Sequence, residues 1–158
     1  MIYQRQITYS LKALAFLAGT PENTVVSVKE MAEKLGIPRH YLGKVLTELV
    51  KKQLVMSAKG PSGGFRLAVI PESISIYSIL DLMDGLSNLE RSCVMGLGEC
   101  VEQSPCALHD LWSEFKKNAV LRTQRLTLSD FSQSLSGKIE PSVEKRIAEG
   151  YHDETFTQ

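Results

Sequence analysis

All three cysteines of this chain fall in one short segment, and a histidine follows them. Cys93, Cys100 and Cys106 span fourteen of the 158 positions, and His109 comes three residues later. Thiolates hold iron–sulfur clusters, and imidazole replaces some of them in certain clusters. The glycines between the first two cysteines allow the loop to bend and to turn backbone N–H groups toward sulfur. The segment therefore predicts a metal-binding loop with the three cysteines as ligands.

A helix is expected to position the last of these residues. Ser104 and Pro105 are typical of a helix cap and a first helical residue, so we predict a helix over 105–131. Cys106 then lies in the first turn, where the helix dipole favours a thiolate, and His109 lies one turn further on the same face. The opposite face carries an apolar stripe: Leu108, Leu111, Trp112, Phe115 and Ala119. The stripe is too wide for a lone exposed helix, which predicts pairing with the same helix of a second copy.

Other uses of the cysteines remain open. A tetrahedral Cys₃His zinc site has a suitable ligand set, but structural zinc sites usually contain close C-x₂₋₄-C pairs, which this chain lacks. The thiols could instead oxidise to a disulfide, which would leave His109 without a role. A nucleophilic cysteine has the least support, because no base and orienting partner can be identified for it. We therefore expect that the chain is not an enzyme.

The net charge of zero hides a division of the chain into a basic and an acidic part. Residues 1–70 contain ten Lys and Arg against four Glu, a balance of +6. Residues 71–158 contain eight basic against fourteen acidic residues, a balance of −6. A polyanion would be attracted to the first part and repelled by the second, so the first part is the candidate for binding nucleic acid.

The basic part contains the pattern of two short helices. Ser27 and Glu30 have the spacing of a capping box, in which each side chain satisfies the free backbone N–H of the other residue. The apolar positions that follow have helical spacing, and Gly36 suits a left-handed helix end. After a short connection, Pro38 begins a second helix, "PRHYLGKVLTELVKKQ". Two helices joined by such a tight turn predict a helix-turn-helix.

A predicted β-hairpin follows this unit directly. "LVMSAK" and "FRLAVI" are typical of short strands, and the turn "GPSGG" lies between them. A helix-turn-helix with a basic hairpin is a winged helix, whose second helix enters the major groove of double-stranded DNA. The fold class is thus mainly α with a small β-hairpin wing. The candidate DNA-contacting residues are Arg39, His40, Tyr41, Gly43 and Lys44 in the helix and Lys59, Gly60, Ser62 and Gly63 in the wing.

Four segments together resemble a known family: "YSLKALAFLA", "SVKEMAEKLGIPRHYLGKVLTELVKKQLV", "KGPSGGFRLA" and "CALHDLW". They are similar to the IscR/NsrR/RirA type of winged-helix transcriptional regulator, over roughly residues 1–130. The resemblance implies a homodimeric repressor that binds a palindromic operator. It also implies an iron–sulfur cluster, either [2Fe–2S] or [4Fe–4S], which senses iron, cluster supply, nitric oxide or redox state. Members without the cysteines exist, so the resemblance alone does not settle the ligand.

The cysteine spacing departs slightly from the pattern of that family. Five residues usually fill each gap, whereas six separate Cys93 from Cys100 here and five separate Cys100 from Cys106. One extra residue in a glycine-rich loop costs little closure entropy, so the three cysteines are kept as ligands. As fourth ligand, some relatives use the counterpart of His109 and others an acidic residue in the first helix of the partner subunit. Thr8 stands at that acidic position and is a poor ligand, which favours His109 over water, a small molecule or another side chain.

The expected organisation has five parts. They are a winged helix-turn-helix domain (1–72), a connector helix (73–92), a cluster-binding loop (93–106), a dimerisation helix (105–131) and a polar tail (132–158). Neither a signal peptide nor a membrane span is expected, because Lys12 interrupts the N-terminal apolar residues, and a cytoplasmic location follows. The alternatives are a thiol- or zinc-based regulator of the same fold and, from another class, a small electron-transfer or metal-stabilised interaction protein without specificity for DNA.

Overall fold

The computed structural model describes residues 5–83 and 85–135, apart from the side chains of 87–89. In this part of the chain the elements are, in order, α1 Arg5–Ala18, α2 Val28–Leu35, α3 Arg39–Lys51, β1 Val55–Ala58, β2 Gly64–Leu67, α4 Ile76–Leu82, α5 Gly85–Arg91, α6 His109–Arg125 and α7 Leu128–Leu135. The two strands form an antiparallel hairpin. The predicted fold class, mainly helical with a hairpin wing, is confirmed.

The helix-turn-helix forms from the capping residues that the sequence indicates. The Ser27 hydroxyl accepts the Glu30 backbone N–H at 3.1 Å at the start of α2. Gly36 ends that helix with φ 61°, in the left-handed region. In α3, the apolar spacing predicts an inward face of Tyr41, Leu42, Val45, Leu46 and Leu49, of which all but the half-buried Tyr41 are buried. The packing of α3 against α1 and α2 fixes which of its faces remains exposed.

The hairpin is attached to the body of the protein through the segment before α2. Val26 and Phe65 exchange two backbone hydrogen bonds, both of 2.9 Å. A Cβ on Gly64 would lie 2.3 Å from the Val26 carbonyl oxygen, so only glycine fits at this position. The wing is therefore held at a fixed position relative to the two helices.

The connector is two helices rather than the single helix predicted over 73–92. Helix α4 begins after Ser75, whose hydroxyl accepts the Ser78 N–H at 3.1 Å, and it ends at the C-cap residue Met83. Helix α5 begins at Gly85, where a Cβ would lie 3.1 Å from the side chain of Ile7 in α1. Gly85 therefore allows the start of α5 to approach α1 closely.

The helix predicted over 105–131 is shorter at both ends. Ser104 and Pro105 do not start it, because residues 104–108 are not helical and α6 begins at His109. Cys106 therefore precedes the helix instead of lying in its first turn, although its carbonyl accepts the His109 N–H at 3.0 Å. The helix ends at Arg125, and the next two residues are not helical.

A separate helix, α7, occupies the residues that follow. Thr127 and Asp130 form its start, since the Thr127 hydroxyl accepts the Asp130 N–H at 3.1 Å while the carboxylate accepts the Thr127 N–H at 3.0 Å. The Ser132 hydroxyl donates to the Ala15 carbonyl of α1 at 2.7 Å and is buried. Residues 132–135, predicted as part of a polar tail, thus belong to a packed helix. The rest of that tail lies outside the described residues.

A single hydrophobic core joins most of these elements. Its most deeply buried side chains come from α1, α2, α3, α4, α5 and α7 and include Leu14, Met31, Leu46, Ile79, Leu86 and Leu128. Helix α6 differs from the others, because none of its residues is buried. Its apolar side chains remain at the surface, with Leu111 69% and Phe115 42% exposed.

Candidate metal site and nucleic-acid interface

The three cysteines and His109 line one surface cavity of about 180 Å³ between the loop and the start of α6. All three cysteines are free thiols of intermediate exposure. The other lining residues are Leu97, Glu99, Val101 and Ser104. The structure thus brings together the four side chains that the sequence singles out, whereas Thr8 lies in α1 and is not part of this lining.

Within the cavity the four candidate ligands form two pairs. The sulfur atoms of Cys93 and Cys106 are 3.8 Å apart, and the Cys100 sulfur is 3.5 Å from His109 Nδ1. In the described ranges, no group of three or more His, Cys, Asp or Glu side chains is close enough to hold one metal ion. On one tetrahedral metal, with bonds of about 2.3 Å to sulfur and about 2.1 Å to nitrogen, two thiolates lie about 3.8 Å apart and a thiolate and an imidazole about 3.6 Å. Each pair therefore has the spacing of two ligands on one metal.

Backbone hydrogen bonds fix the shape of the loop. The Cys100 N–H donates to the Arg91 carbonyl at 2.7 Å, and the Cys93 N–H donates to the Gly98 carbonyl at 3.0 Å. Gly96 and Gly98 have φ values of 70° and 92°, which side chains with a Cβ rarely adopt. These glycines close the loop between the first two cysteines, so the conformation depends on them.

The loop also favours the thiolate form of its first cysteine. The backbone N–H groups of Met95 and Leu97 donate to the Cys93 sulfur and lower its pKa, with Met95 the larger effect. Partial burial acts in the opposite direction, and Cys106 and the positive charge of Lys116 add to the lowering. Since the thiolate is the metal-binding and nucleophilic form of cysteine, these contacts favour the form of Cys93 that can bind a metal.

Two side chains of α6 hold the loop and the end of α5. The Trp112 indole N–H donates to the Ser92 carbonyl at 2.8 Å, and the Lys116 ammonium donates to the Glu90 carbonyl at 2.9 Å. The sequence predicted Trp112 only as part of the apolar stripe, and the hydrogen bond of its indole N–H to the Ser92 carbonyl was not predicted. The available signal was the indole N–H, which usually finds an acceptor when the ring is packed. The loop and α6 are thus one unit.

A third residue of α6 contacts His109 from the side opposite Cys100. The Ser113 hydroxyl oxygen lies 3.4 Å from His109 Nε2, so the imidazole is bracketed by a sulfur and a hydroxyl. The sequence reading did not identify Ser113. Its i,i+4 spacing from His109 on a helix was the signal that could have found it.

The candidate DNA-contacting residues of α3 lie on its exposed face. The side chains of Arg39, His40 and Lys44 are exposed, and a Cβ at Gly43 would meet no atom within 4 Å. Thr47 extends this face by one turn and was missed, although its spacing of three from Lys44 predicts the same side of the helix. The face is basic and open, as contact with phosphates requires.

Tyr41 has a different environment from these neighbours. It is half-buried, and its ring stands edge-on against Tyr9 of α1 with 5.4 Å between the ring centroids. Tyr41 therefore packs α3 against α1, and its predicted contact with DNA would be a second role. Pro38, predicted as the first helical residue, is instead the N-cap of α3, one position before Arg39, and its side chain makes no capping hydrogen bond.

The tip of the wing presents Lys59, Gly60 and Ser62, which are all exposed. Gly60 has φ 111°, and its carbonyl accepts the Gly63 N–H at 2.9 Å. A Cβ on Gly63 would lie 2.6 Å from the Ala58 carbonyl oxygen. The turn itself therefore requires glycine at 63, whatever contact that residue makes with DNA.

These features define the class of the protein: it has a winged-helix fold of the DNA-binding type, and the comparisons that follow show that it is a transcriptional regulator. Residues 3–134 match the family described as Rrf2, iron-dependent transcriptional regulator, and the chain belongs to that family. The resemblance to IscR-type regulators is thus confirmed at the level of the family. Among residues 5–83 and 85–135, no helix combines the length and apolar character needed to cross a membrane.

Individual relatives agree with this assignment. A putative HTH-type transcriptional regulator of Aquifex aeolicus is 40% identical over 118 residues, which are 73% of this chain and 81% of that protein. T. potens IscR superposes with a TM-score of 0.62 at 24% identity, covering 85% of this chain and 88% of that one. CymR, the global cysteine regulator of B. subtilis, superposes with a TM-score of 0.67 at 23% identity, covering 83% and 95%. The relatives are named as regulators and not as enzymes, which confirms that expectation.

Proposed function

We propose that the chain is a homodimeric cytoplasmic repressor that binds a palindromic operator and responds to an iron–sulfur cluster held by Cys93, Cys100, Cys106 and His109. The spacing of the two pairs in one cavity carries this proposal. Membership of a family described as iron-dependent regulators supports it. The lowered pKa of Cys93 supports it further, because cluster ligands bind as thiolates.

The pairing also favours one type of cluster. In a [2Fe–2S] cluster each iron takes two protein ligands, whereas in a [4Fe–4S] cluster each iron takes one. The pairs Cys93–Cys106 and Cys100–His109 match the first arrangement, because the members of each pair have the spacing of ligands on a common metal. When bound, such a cluster supplies a redox-active group. Its loss would leave the pair Cys93–Cys106 no longer connected through the cluster to the pair Cys100–His109.

The protein's own contacts connect the loop with the DNA-binding helix. Trp112 and Lys116 hold the loop and α5 against α6. At the other end of the connector, the Lys52 ammonium donates to the Leu82 carbonyl, which joins the end of α3 to the end of α4. A loop that is ordered by its ligand would fix α6, and α6 would set the separation of the two α3 helices. That separation must be about 34 Å for insertion into successive major grooves.

The surface of α6 supports the homodimer. Three of its apolar side chains, Leu111, Phe115 and Leu121, are 69%, 42% and 43% exposed. A monomer would leave this stripe in water, while pairing of α6 with its copy across a two-fold axis would bury the stripe of both protomers. On the DNA side, the excess of six positive charges in residues 1–70 supports binding of a polyanion by the exposed face of α3 and the wing.

The decisive experiment is anaerobic purification and reconstitution, followed by absorption spectroscopy and iron and sulfide analysis. We expect two irons and two sulfides per protomer, and an operator affinity that differs between the loaded and metal-free forms. Cys100→Ala should lose the cluster and this difference. Gln103→Ala, an exposed loop residue outside the cavity lining, is the matched control and should keep both. A Cys100→Ala protein with wild-type absorption, or equal affinities of the loaded and metal-free wild type, would refute the proposal.

A second candidate is a thiol-based regulator. The sulfurs of Cys93 and Cys106 are near enough that a small loop movement would allow a disulfide of about 2.05 Å, formed by a two-electron oxidant with release of two protons. A solved structure of Staphylococcus aureus CymR is described as an oxidized form, and it is 25% identical to this chain. Cys100→Ala separates the two functions, because it removes a cluster ligand but leaves this pair intact. Retained redox control of DNA binding in that variant would favour the disulfide, and one zinc per protomer would favour the zinc alternative.

A further inference from the structure

The imidazole of His109 lies between two different partners on α6 and the loop. Its Nδ1 is 3.5 Å from the Cys100 sulfur, and its Nε2 is 3.4 Å from the Ser113 hydroxyl oxygen. Both contacts are partly buried, and His109 lines the cavity while Ser113 does not. Because residues four apart share a helix face, Ser113 reaches the ring without any distortion of α6.

The two ring nitrogens of a neutral imidazole have opposite roles. One carries a proton and the other a lone pair, so a histidine that binds metal through Nδ1 must carry its proton on Nε2. That N–H needs an acceptor, and such outer partners fix the ring orientation of metal-binding histidines. The Ser113 hydroxyl is at the position where the acceptor is needed.

We propose that Ser113 is the positioning residue for His109. Its hydroxyl oxygen accepts a hydrogen bond from the Nε2–H group and so keeps the Nδ1 lone pair directed into the cavity beside Cys100. This inference rests on the proposed function, because it assigns His109 as a ligand. Without the hydroxyl, the ring can rotate by a half-turn and present a carbon atom where Nδ1 now lies. Alanine at this position, with a methyl group in place of the hydroxymethyl group of serine, would leave the helix intact, since alanine is a good helix former.

The test compares the wild type with Ser113→Ala, Ser113→Thr and His109→Ala after anaerobic reconstitution. Ser113→Ala should release iron to a chelator about 10–100-fold faster than the wild type, because loss of an outer partner of a metal ligand usually lowers metal affinity by this factor and the weaker binding is expected to raise the release rate. Ser113→Thr should restore the slow rate, because it keeps the hydroxyl. In the reduced proteins, pulsed EPR should detect a directly bound ¹⁴N in the wild type and the threonine variant, a weaker or heterogeneous signal in Ser113→Ala and none in His109→Ala.

A measurement on the metal-free protein tests the contact independently of the cluster. The ¹⁵N chemical shifts of the His109 ring, measured at a pH where the ring is neutral, should differ between the wild type and Ser113→Ala and should be similar in Ser113→Thr. Equal ring shifts in the wild type and Ser113→Ala would overturn the inference. Equal iron release with a wild-type ¹⁴N signal in Ser113→Ala would overturn it too, while leaving His109 as ligand and the proposed function intact. A wild type that binds no iron would instead refute the proposed function, and the ring shifts would still decide whether Ser113 positions His109.

Discussion

Replacing Lys44 with alanine tests whether the exposed face of α3 reads DNA. Lys44 lies one turn into the helix, is exposed, and follows a glycine that leaves the surface open. An ammonium at this place is expected to displace one condensed cation from a DNA phosphate. In the proposed dimer each change occurs twice, once at each half of the operator.

The expected magnitude follows from counterion release. Each phosphate contact contributes about −0.9 to the slope of log affinity against log salt concentration, so loss of two contacts should make the slope shallower by about 1.8. Between about 50 and 200 mM salt, a fourfold change in concentration, the ratio of wild-type to variant affinity should therefore shrink by about 12-fold. The effect on affinity should be largest at low salt.

The assay is fluorescence anisotropy with a labelled operator duplex at several salt concentrations, with the cluster content of each sample held equal. Lys51→Ala is the matched control, because it removes the same charge from the same helix at a position where the ammonium is paired with Glu48 at 2.7 Å. Lys51→Ala should leave the slope within error of the wild type. Equal slopes for Lys44→Ala and the wild type would refute the assigned role, and equal changes in both variants would show only a general effect of net charge.

Three further predictions concern stability. Ser132→Ala should lower the free energy of unfolding by about 1 kcal/mol, because a buried hydroxyl is lost together with its hydrogen bond to a backbone carbonyl of α1. Ser134→Ala, at the exposed end of α7, should change the free energy of unfolding little. Urea titration measures both variants. Gly64→Ala should lower the free energy of unfolding by about 1–3 kcal/mol, since its Cβ would overlap a backbone carbonyl. Gly43→Ala should instead stabilise α3 by about 0.5–1 kcal/mol, and it should weaken operator binding because the new methyl group covers the open face of α3. Hydrogen bonds from Thr127, the side chain first, lower the pKa of Asp130, so the carboxylate contributes stability that is present above about pH 4 and lost as the pH falls through the folded pKa. Asp130→Ala should therefore lower the melting temperature at pH 7, and the difference should shrink as the pH falls below about 4 and through the folded pKa.

Local patterns were enough to predict the winged helix. Capping by Ser27, the glycine at 36 and the turn around Gly60 each specify a conformation within a few residues. The apolar spacing of α2 and α3 then selects the buried face, and the structure agrees with it. The basic surface follows because the charged side chains of these helices lie on the face opposite the buried one.

The C-terminal half was predicted less well because long-range contacts decide it. Ser104 and Pro105 are good helix starters by type, yet the chain must bring Cys106 back toward Cys93, and this loop closure delays the helix to His109. The end at Arg125 was missed because the capping pair Thr127–Asp130 was not recognised. Burial of Ser132 against α1 could not be read from its polarity.

The distribution of buried side chains is compatible with the proposed combination of a rigid DNA-binding domain and a movable ligand-sensing loop. The winged helix shares a continuous core in which Leu42, Leu46 and Leu49 are 0–1% exposed, so α3 moves only together with its neighbours. Helix α6 contributes no buried residue to this core, and its position depends on a few polar contacts with the loop and on packing against α4, to which the proposed dimer would add a second copy. A change of about 2–3 kcal/mol at the loop is comparable to the sum of two or three such hydrogen bonds. It is small compared with the cost of repacking the core. In the proposed dimer, binding or loss of a ligand at the cysteines should therefore shift the two winged-helix domains relative to each other and leave the structure of each domain unchanged.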